Sequence, residues 1–290
     1  MTQAQLRERV KSIIQLPSLP AVAMEVMEMA DNPKTSAARL GSVIATDQAL
    51  TAKVLKIANS PFYGFPKRIS TVEFAIIVLG FEALKEIVLS IAMMSSIQKG
   101  VDEVFDAKVY WDHAITTGSI ARRLAQDTGY RVTGEAFVGG LLHDMGVSVA
   151  HRYFRKEFEE VVRTIRSTPA TFEETEKKVI GATHAEIGGW LAERWNLPDH
   201  LAESIALHHS PASAGKNPHL TAIVHCADIL AVRLTAHPPE FDQRSLPDEG
   251  ALNTLGFDSF DSIMSYAHEM MEDERPVKRP LYPPVVRSQS

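Results

Sequence analysis

The chain has 290 residues, 45% of them hydrophobic and 23% charged, with a formal net charge of −6. That composition belongs to a soluble globular protein with a substantial core or two lobes. Its acidic balance argues against broad nucleic-acid binding, which needs a basic surface. The single cysteine, Cys226, excludes an internal disulfide framework, and its apolar neighbours mark it as a buried, inert thiol in a reducing compartment.

The N-terminal residues, MTQAQLRERVKSIIQL, lack the basic-then-apolar layout of a secretion signal. The opening helix stops at the Pro17-Ser18-Leu19-Pro20 step, because proline removes a donor and crowds the preceding turn. A helix over 21–30 follows, with Val22, Val26 and Met29 on its apolar face. Ser36 caps the next one, which runs through Ile44. Another spans Ala49–Ala58 and ends at Asn59-Ser60-Pro61. After a loop with Gly64 and Pro66, Ser70-Thr71-Val72-Glu73 starts a pair of helices over 72–97, broken at Gly80. Glu82, Lys85 and Glu86 interrupt this apolar run, so it reads as core helices and not a membrane span; the expected location is the cytoplasm.

Tyr110–Asp127 is a long amphipathic helix closed by Gly129. The stretch from Glu135 to Tyr153 is strongly apolar and contains GGLLHDMG. Residues 155–167 and 172–181 form charged, exposed helices. Thr183-His184-Ala185-Glu186 is a capping box that opens a helix through Trp195. Pro198-Asp199 starts another that stops at Pro211, and His219–Leu234 forms the next. A proline-containing loop over 235–250 and one or two helices between Ala251 and Glu274 complete the fold. The tail PVKRPLYPPVVRSQS reads as extended or disordered. Strand alternation is nearly absent, which predicts an all-α, two-lobed helical protein. The lobes are expected at 1–105 and 106–275, with the tail at 276–290.

Set on these helices is a run of metal-ligand residue types: His113, His143-Asp144, His184, His208-His209 and Asp228. His113 shares a face with Ile120 and Leu124. His184 aligns with Ile187, Leu191 and Trp195, His208 with Leu201 and Ile205, and Asp228 with Leu220 and Val224. A lone inward histidine is commonly a hydrogen-bonded core residue. Seven such groups on five helices each need a buried partner, and a cation supplies one for all. Imidazole and carboxylate together suit Fe, Mn, Zn, Co or Ni. Trp111, Trp190 and Trp195 read as packing residues, Arg122-Arg123 as a solvated face, and Lys177-Lys178 as part of an exposed ion-pair lattice. No Ser/His/Asp elbow surrounds Ser60, Thr116 or Ser210, and no Gly-rich phosphate loop is present.

The pattern His113…His143-Asp144…Asp228 resembles the H…HD…D signature of the HD superfamily of metal-dependent phosphohydrolases. His184 and the His208-His209 pair resemble the second-metal ligands of its binuclear members, including the HD-GYP phosphodiesterases. The N-terminal half, with Leu16–Pro20, the 47–55 stretch, Asn59-Ser60-Pro61 and the 75–80 turn, is similar to the HDOD domain, the HD-related output domain of bacterial signalling proteins. The resemblance covers about residues 15 to 230. It implies that His113, His143, Asp144 and Asp228 hold one metal. It further implies that Asp144 bridges to a second, completed by His184, His208 and His209. In active relatives such metals clamp a phosphate and activate water.

The chain also departs from the enzyme pattern. Val147 stands where HD-GYP enzymes carry a phosphate-binding lysine, HHSPASAG replaces their GYP segment, and Val109 replaces a third-metal glutamate. HDOD proteins are regarded as regulatory modules. The resemblance therefore implies a bacterial signalling module with one or two divalent metal ions. It would act through a protein partner or a bound nucleotide or cyclic dinucleotide, without membrane and without nucleic acid. Two alternatives remain open. One is a metal-dependent phosphohydrolase, in which Asp144 is the catalytic residue; the other is a scaffold with a purely structural metal.

Overall fold

The computed structural model describes residues 7–8, 10, 21–30, 32–59, 69–96, 102–195, 197–235, 238–241 and 246–272. Among them the protein is all-α, without strands. No helix among them is long and apolar enough to cross a membrane. The described residues divide into two compact units, one of residues 21–95 and one of residues 7, 8, 10 and 96–272. The Leu16–Pro20 segment, Ser60, Pro61, Gly64, Pro66 and the 276–290 tail lie outside the described residues.

The first unit contains α1 (Ala21–Ala30), α2 (Ala37–Ala45), α3 (Gln48–Ala58), α4 (Val72–Leu79) and most of α5 (Phe81–Ser96). Ser36 and Thr71 cap α2 and α4 by accepting from the main-chain N–H groups of Arg39 and Phe74. Gly80, at a φ of 88°, makes the expected break before α5. The buried stripe of α1 is Ala23, Val26 and Met27, where the sequence suggested Val22, Val26 and Met29. An i, i+3, i+4 triplet covers one face more tightly than the looser set. The Asn59 side chain donates to Ile69 O and accepts from Ile69 N, both at 2.7 Å. This peptide-like pair ties the end of α3 to the buried Ile69, beside Ala58 and Ala75.

The second unit runs α6 (Ala107–Asp127), α7 (Thr133–Leu142), α8 (Met145–Tyr153), α9 (Arg155–Ser167), α10 (Phe172–Val179), α11 (His184–Arg194) and α12 (Asp199–Ala206). A short 3-10 turn (Pro211–Ser213), α13 (Pro218–Leu234), α14 (Glu249–Thr254) and α15 (Phe260–Glu272) complete it. Its centre is α13, which packs on α6, α7, α12 and α14 and is buried continuously from Leu220 to Val232. The sequence assigned Asp228 to one inward face of this helix; in the fold every face near it is inward. Contact between α6 and α7 is made through backbone. A Cβ on Gly140 would lie 2.9 Å from both Gly118 Cα and Thr117 O, so these helices meet at glycine.

Several boundaries differ from expectation. The apolar stretch from Glu135 to Tyr153 is two helices, interrupted at His143-Asp144. Helix α12 ends at Ala206, well before Pro211, and leaves His208 and His209 in a turn. The helix opening at His184 closes at Arg194, with Trp195 as its C-cap. Arg123 is also buried, not on a solvated face: its Nε donates to Asp127 Oδ2 at 2.5 Å, and Tyr266 of α15 donates to the same oxygen. Its long apolar stem is what the helix packing covers.

Candidate metal centre

Each donor reaches the interior by a different local device. His113 lies mid-helix on the buried face of α6, with Tyr110, Thr117, Ile120 and Leu124. His143 and Asp144 form the turn between α7 and α8. Asp144 occupies the N-cap position of α8 but makes no capping hydrogen bond there. A capping aspartate contributes about 1 kcal/mol to a helix; here that contribution is given up and the carboxylate turns inward. His184 is the first residue of α11, fixed by the reciprocal capping box of Thr183 and Glu186. His208 is held in its turn by donating from Nδ1 to Ile205 O at 2.7 Å, and His143 likewise donates to Gly140 O at 2.6 Å. Both bonds aim Nε2 at the interior.

The seven residues converge on one place. Donor atoms of Asp144, His184, His208 and His209 lie within 4.8 Å of one another, and those of His113, His143 and Asp228 form a second such group. Asp144 joins them. Its Oδ2 lies 3.2 Å from His143 Nε2 and 3.6 Å from His113 Nε2; its Oδ1 lies 3.3 Å from His184 Nε2 and 3.6 Å from His208 Nε2. Asp228 Oδ1 is 3.1 Å from His113 Nε2 and 3.5 Å from His143 Nε2. His184 and His209 face each other at 3.0 Å through their Nε2 atoms.

These separations fit a cation better than mutual hydrogen bonding. Donors about 2.1 Å from one metal stand roughly 3.0–3.4 Å apart, close to the 3.0–3.6 Å seen here. Both oxygens of Asp144 and of Asp228, together with His208 Nε2, are buried without a well-formed hydrogen bond. Leaving two carboxylates in that state costs several kcal/mol each unless positive charge compensates them.

Protonation is compatible with ligation. Burial alone would raise Asp144, but the imidazoles of His143, His184 and His113 outweigh it and hold the carboxyl below its usual range. Asp228 is likewise held down against burial by His113 and His143. Burial lowers His208, helped by neighbouring His209 and His143, and burial also lowers His209, helped by His184. The result is ionised Asp144 and Asp228 beside neutral His208 and His209, the forms that bind metal. His143 differs: burial pulls it down, but Asp144 and Asp228 hold it well above its ordinary value. Its proton stands where a divalent ion would place its charge.

Sequence reasoning missed several residues around this cluster. Helix α10 was expected to be charged and exposed, yet Glu176 is fully buried and accepts from both His184 N and His184 Nδ1, at 2.8 and 2.7 Å. Glu176 stands one helical turn after the buried Phe172 and one turn before the buried Ile180, which puts it on the inward face of α10; that was the available signal. Phe172 and Phe241 cover the cluster, 5.8 Å from His184 and 6.2 Å from His113 between ring centroids, and 5.7 Å from each other. Glu240 beside Phe241 is paired in fork geometry to Arg166 of α9. His225 is buried in another role. It donates to His208 O at 2.6 Å and accepts from Asp248 N at 2.8 Å, joining the histidine turn to the start of α14. Lys177 pairs with Glu186 of α11, and Cys226 is buried with its thiol pushed up to about 12 by burial.

A family model described as the HDOD domain matches residues 16–211, which include six of the seven donors and stop short of Asp228. An uncharacterised protein of Treponema pallidum (strain Nichols) is 30% identical over 214 residues. The match covers 71% of this chain and 39% of that protein, so the chain spans about two fifths of its relative's length. Among solved structures, an HDOD domain protein with unknown function from Geobacter sulfurreducens superposes with a TM-score of 0.78 at 26% identity. That superposition covers 96% of this chain and 97% of the other. A "putative phosphohydrolase" from Shewanella amazonensis SB2B shares the fold, with a TM-score of 0.74 at 23% identity over 95% of this chain and 96% of its own.

Proposed function

This chain belongs to the HDOD family, and from that premise we propose that it is a bacterial signalling module built around a divalent-metal centre. It acts in the cytoplasm through a protein partner or a bound nucleotide-type ligand, and not by turnover. His113, His143 and Asp228 would hold one ion and His184, His208 and His209 a second, with Asp144 serving both. The observation that carries this reading is the placement of the Asp144 carboxylate between the two donor groups, 3.2–3.6 Å from four imidazoles. Burial of six of the seven donors beside Phe172 and Phe241 supports binding over catalysis, because a phosphate ester has to reach the ions to react. Val147 and the HHSPASAG segment point the same way, since neither supplies a fixed cation for a substrate anion.

A second reading, a metal-dependent phosphohydrolase, is favoured by the completeness of the donor set and by the name of the Shewanella neighbour. Bound ions would supply Lewis acidity toward a phosphoryl group and acidify coordinated water. The chain's own part would be to hold Asp144 and Asp228 ionised and His208 and His209 neutral, and to exclude bulk water with its two phenylalanines. Iron, manganese, zinc, nickel and cobalt all suit the donors, and availability selects among them.

Elemental analysis of protein purified without added metal, paired with assays on cyclic dinucleotides and a simple phosphodiester, separates these readings. Bound metal without hydrolysis supports the signalling module. Hydrolysis that disappears in Asp144→Ala establishes the enzyme. Protein that neither carries nor takes up Fe, Mn or Zn refutes both. A protein that holds metal but shows no response of ligand or partner binding to its removal is a scaffold.

A further inference from the structure

The donor histidines are oriented by two different means, and the second is confined to the group of His184, His208 and His209. His143 and His208 are aimed by bonds to carbonyls three residues earlier, Gly140 O and Ile205 O, so their orientation comes with their own helix ends. His184 is aimed from a separate helix. Glu176 of α10 takes its main-chain N–H and its Nδ1–H on a single oxygen, Oε2. That bond places the proton on Nδ1 and turns the Nε2 lone pair toward Asp144 Oδ1, 3.3 Å away. Glu173 is one turn earlier on α10, with Oε2 4.0 Å from His209 Nδ1, on the side of that ring opposite the His184 contact. One histidine of this group is thus hydrogen-bonded to a carboxylate of α10 and a second has another within 4.0 Å, while His113, His143 and Asp228 sit on α6, the α7–α8 turn and α13.

The bonds to His184 satisfy only one oxygen of Glu176. Its side chain is fully buried, and its second oxygen, Oε1, has no hydrogen-bond partner. An anion so placed is stable when a cation on the far side of the imidazole draws its charge through the ring, the carboxylate–histidine–metal arrangement. We propose that Glu176, seconded by Glu173, is a positioning residue for the second ion. It fixes the tautomer and raises the basicity of His184, so that α10 controls occupancy of the second position independently of the first. This rests on the two-position reading given above.

The test is titration of metal-free full-length protein with Mn²⁺, following stoichiometry by elemental analysis and ion–ion coupling by electron paramagnetic resonance. Wild type is expected to bind two ions with a coupled spectrum. In Glu176→Ala and in the isosteric Glu176→Gln the second ion is expected to weaken by about 10–100-fold. The first keeps its affinity, and the spectrum becomes that of an isolated ion. Glu173→Gln is expected to show the same change to a smaller degree. If Glu176→Ala does not fold, the Gln variant gives the reading. Two ions at wild-type affinity in Glu176→Gln, or loss of both ions together from a variant with native helicity, overturns the inference. Fewer than two ions in wild type overturns instead the two-position reading beneath it.

Discussion

Gly146, two residues after Asp144, tests whether backbone contact between α8 and α11 sets the spacing of the two donor groups. A Cβ built on Gly146 would lie 1.9 Å from His184 O, 2.7 Å from His184 C and 2.9 Å from Gly188 N. All three are backbone atoms in the first turns of α11, so no side chain can rotate away. In Gly146→Ala, α8 and α11 must separate by roughly an ångström to restore ordinary contact, an overpacking cost of about 3 kcal/mol. Alanine returns up to about 1 kcal/mol through helix propensity. The net loss of about 2 kcal/mol should lower Tm by about 4–8 °C for a unit of this size. The same separation carries Asp144 away from His184, now 3.3 Å apart, beyond the reach of a shared ion. Thermal unfolding of the metal-free variant, followed by Mn²⁺ titration, reads both effects. A Tm within about 2 °C of wild type with two ions still bound would refute the reasoning, because it would mean the helices yield at no cost.

Two further expectations concern access and pH. Phe241→Ala removes the ring over His113; the lost apolar cover, worth roughly 1.5 kcal/mol, should speed metal loss to a chelator by about tenfold. An unchanged chelation rate would show that the phenylalanine does not guard the centre. Glu203 anchors the loop before α13 by accepting from the main-chain N–H groups of Gly215, Lys216 and Asn217. Burial works against its charge, but those bonds hold its carboxyl below the ordinary 4.5. The folded value is depressed, so its stabilisation is complete above 4.5 and is lost as pH falls through the lower folded value. Glu203→Ala should therefore cost about 1–2 kcal/mol near pH 7. That difference from wild type should shrink as urea unfolding is repeated at pH values descending below 4.5, and a difference independent of pH would contradict the assignment.

The helices were legible because their boundaries are written in local chemistry. Ser36, Thr71 and the Thr183–Glu186 box cap the helices they were expected to cap, and Gly80 breaks the 72–97 run where its φ of 88° requires glycine. The seven candidate donors could be named for a related reason. A histidine or aspartate on an apolar helical face is a local anomaly that needs no partner to be noticed. What escaped was anything whose meaning lies between helices. Glu176 was hidden in a run of charged residues, because charge alone does not tell which glutamate faces inward. Arg123 was assigned to solvent because a long stem can be covered while its head pairs with Asp127. The interruption at His143-Asp144 went unread because neither residue is a helix breaker.

By itself, then, the sequence determined an all-α chain with capped amphipathic helices, and a set of imidazoles and carboxylates too numerous to bury without a common partner. Periodicity and capping are properties of neighbouring residues, and they survive without knowledge of the rest of the fold. Tertiary structure brought the residues that the resemblance had grouped into two clusters with Asp144 between them. It also decided that α10 turns Glu176 onto His184 and that Phe172 and Phe241 close over the cluster. Those facts depend on helix crossings set by glycine contacts such as Gly118–Gly140 and Gly146–His184. A crossing distance is a property of two distant segments at once, which no local pattern encodes.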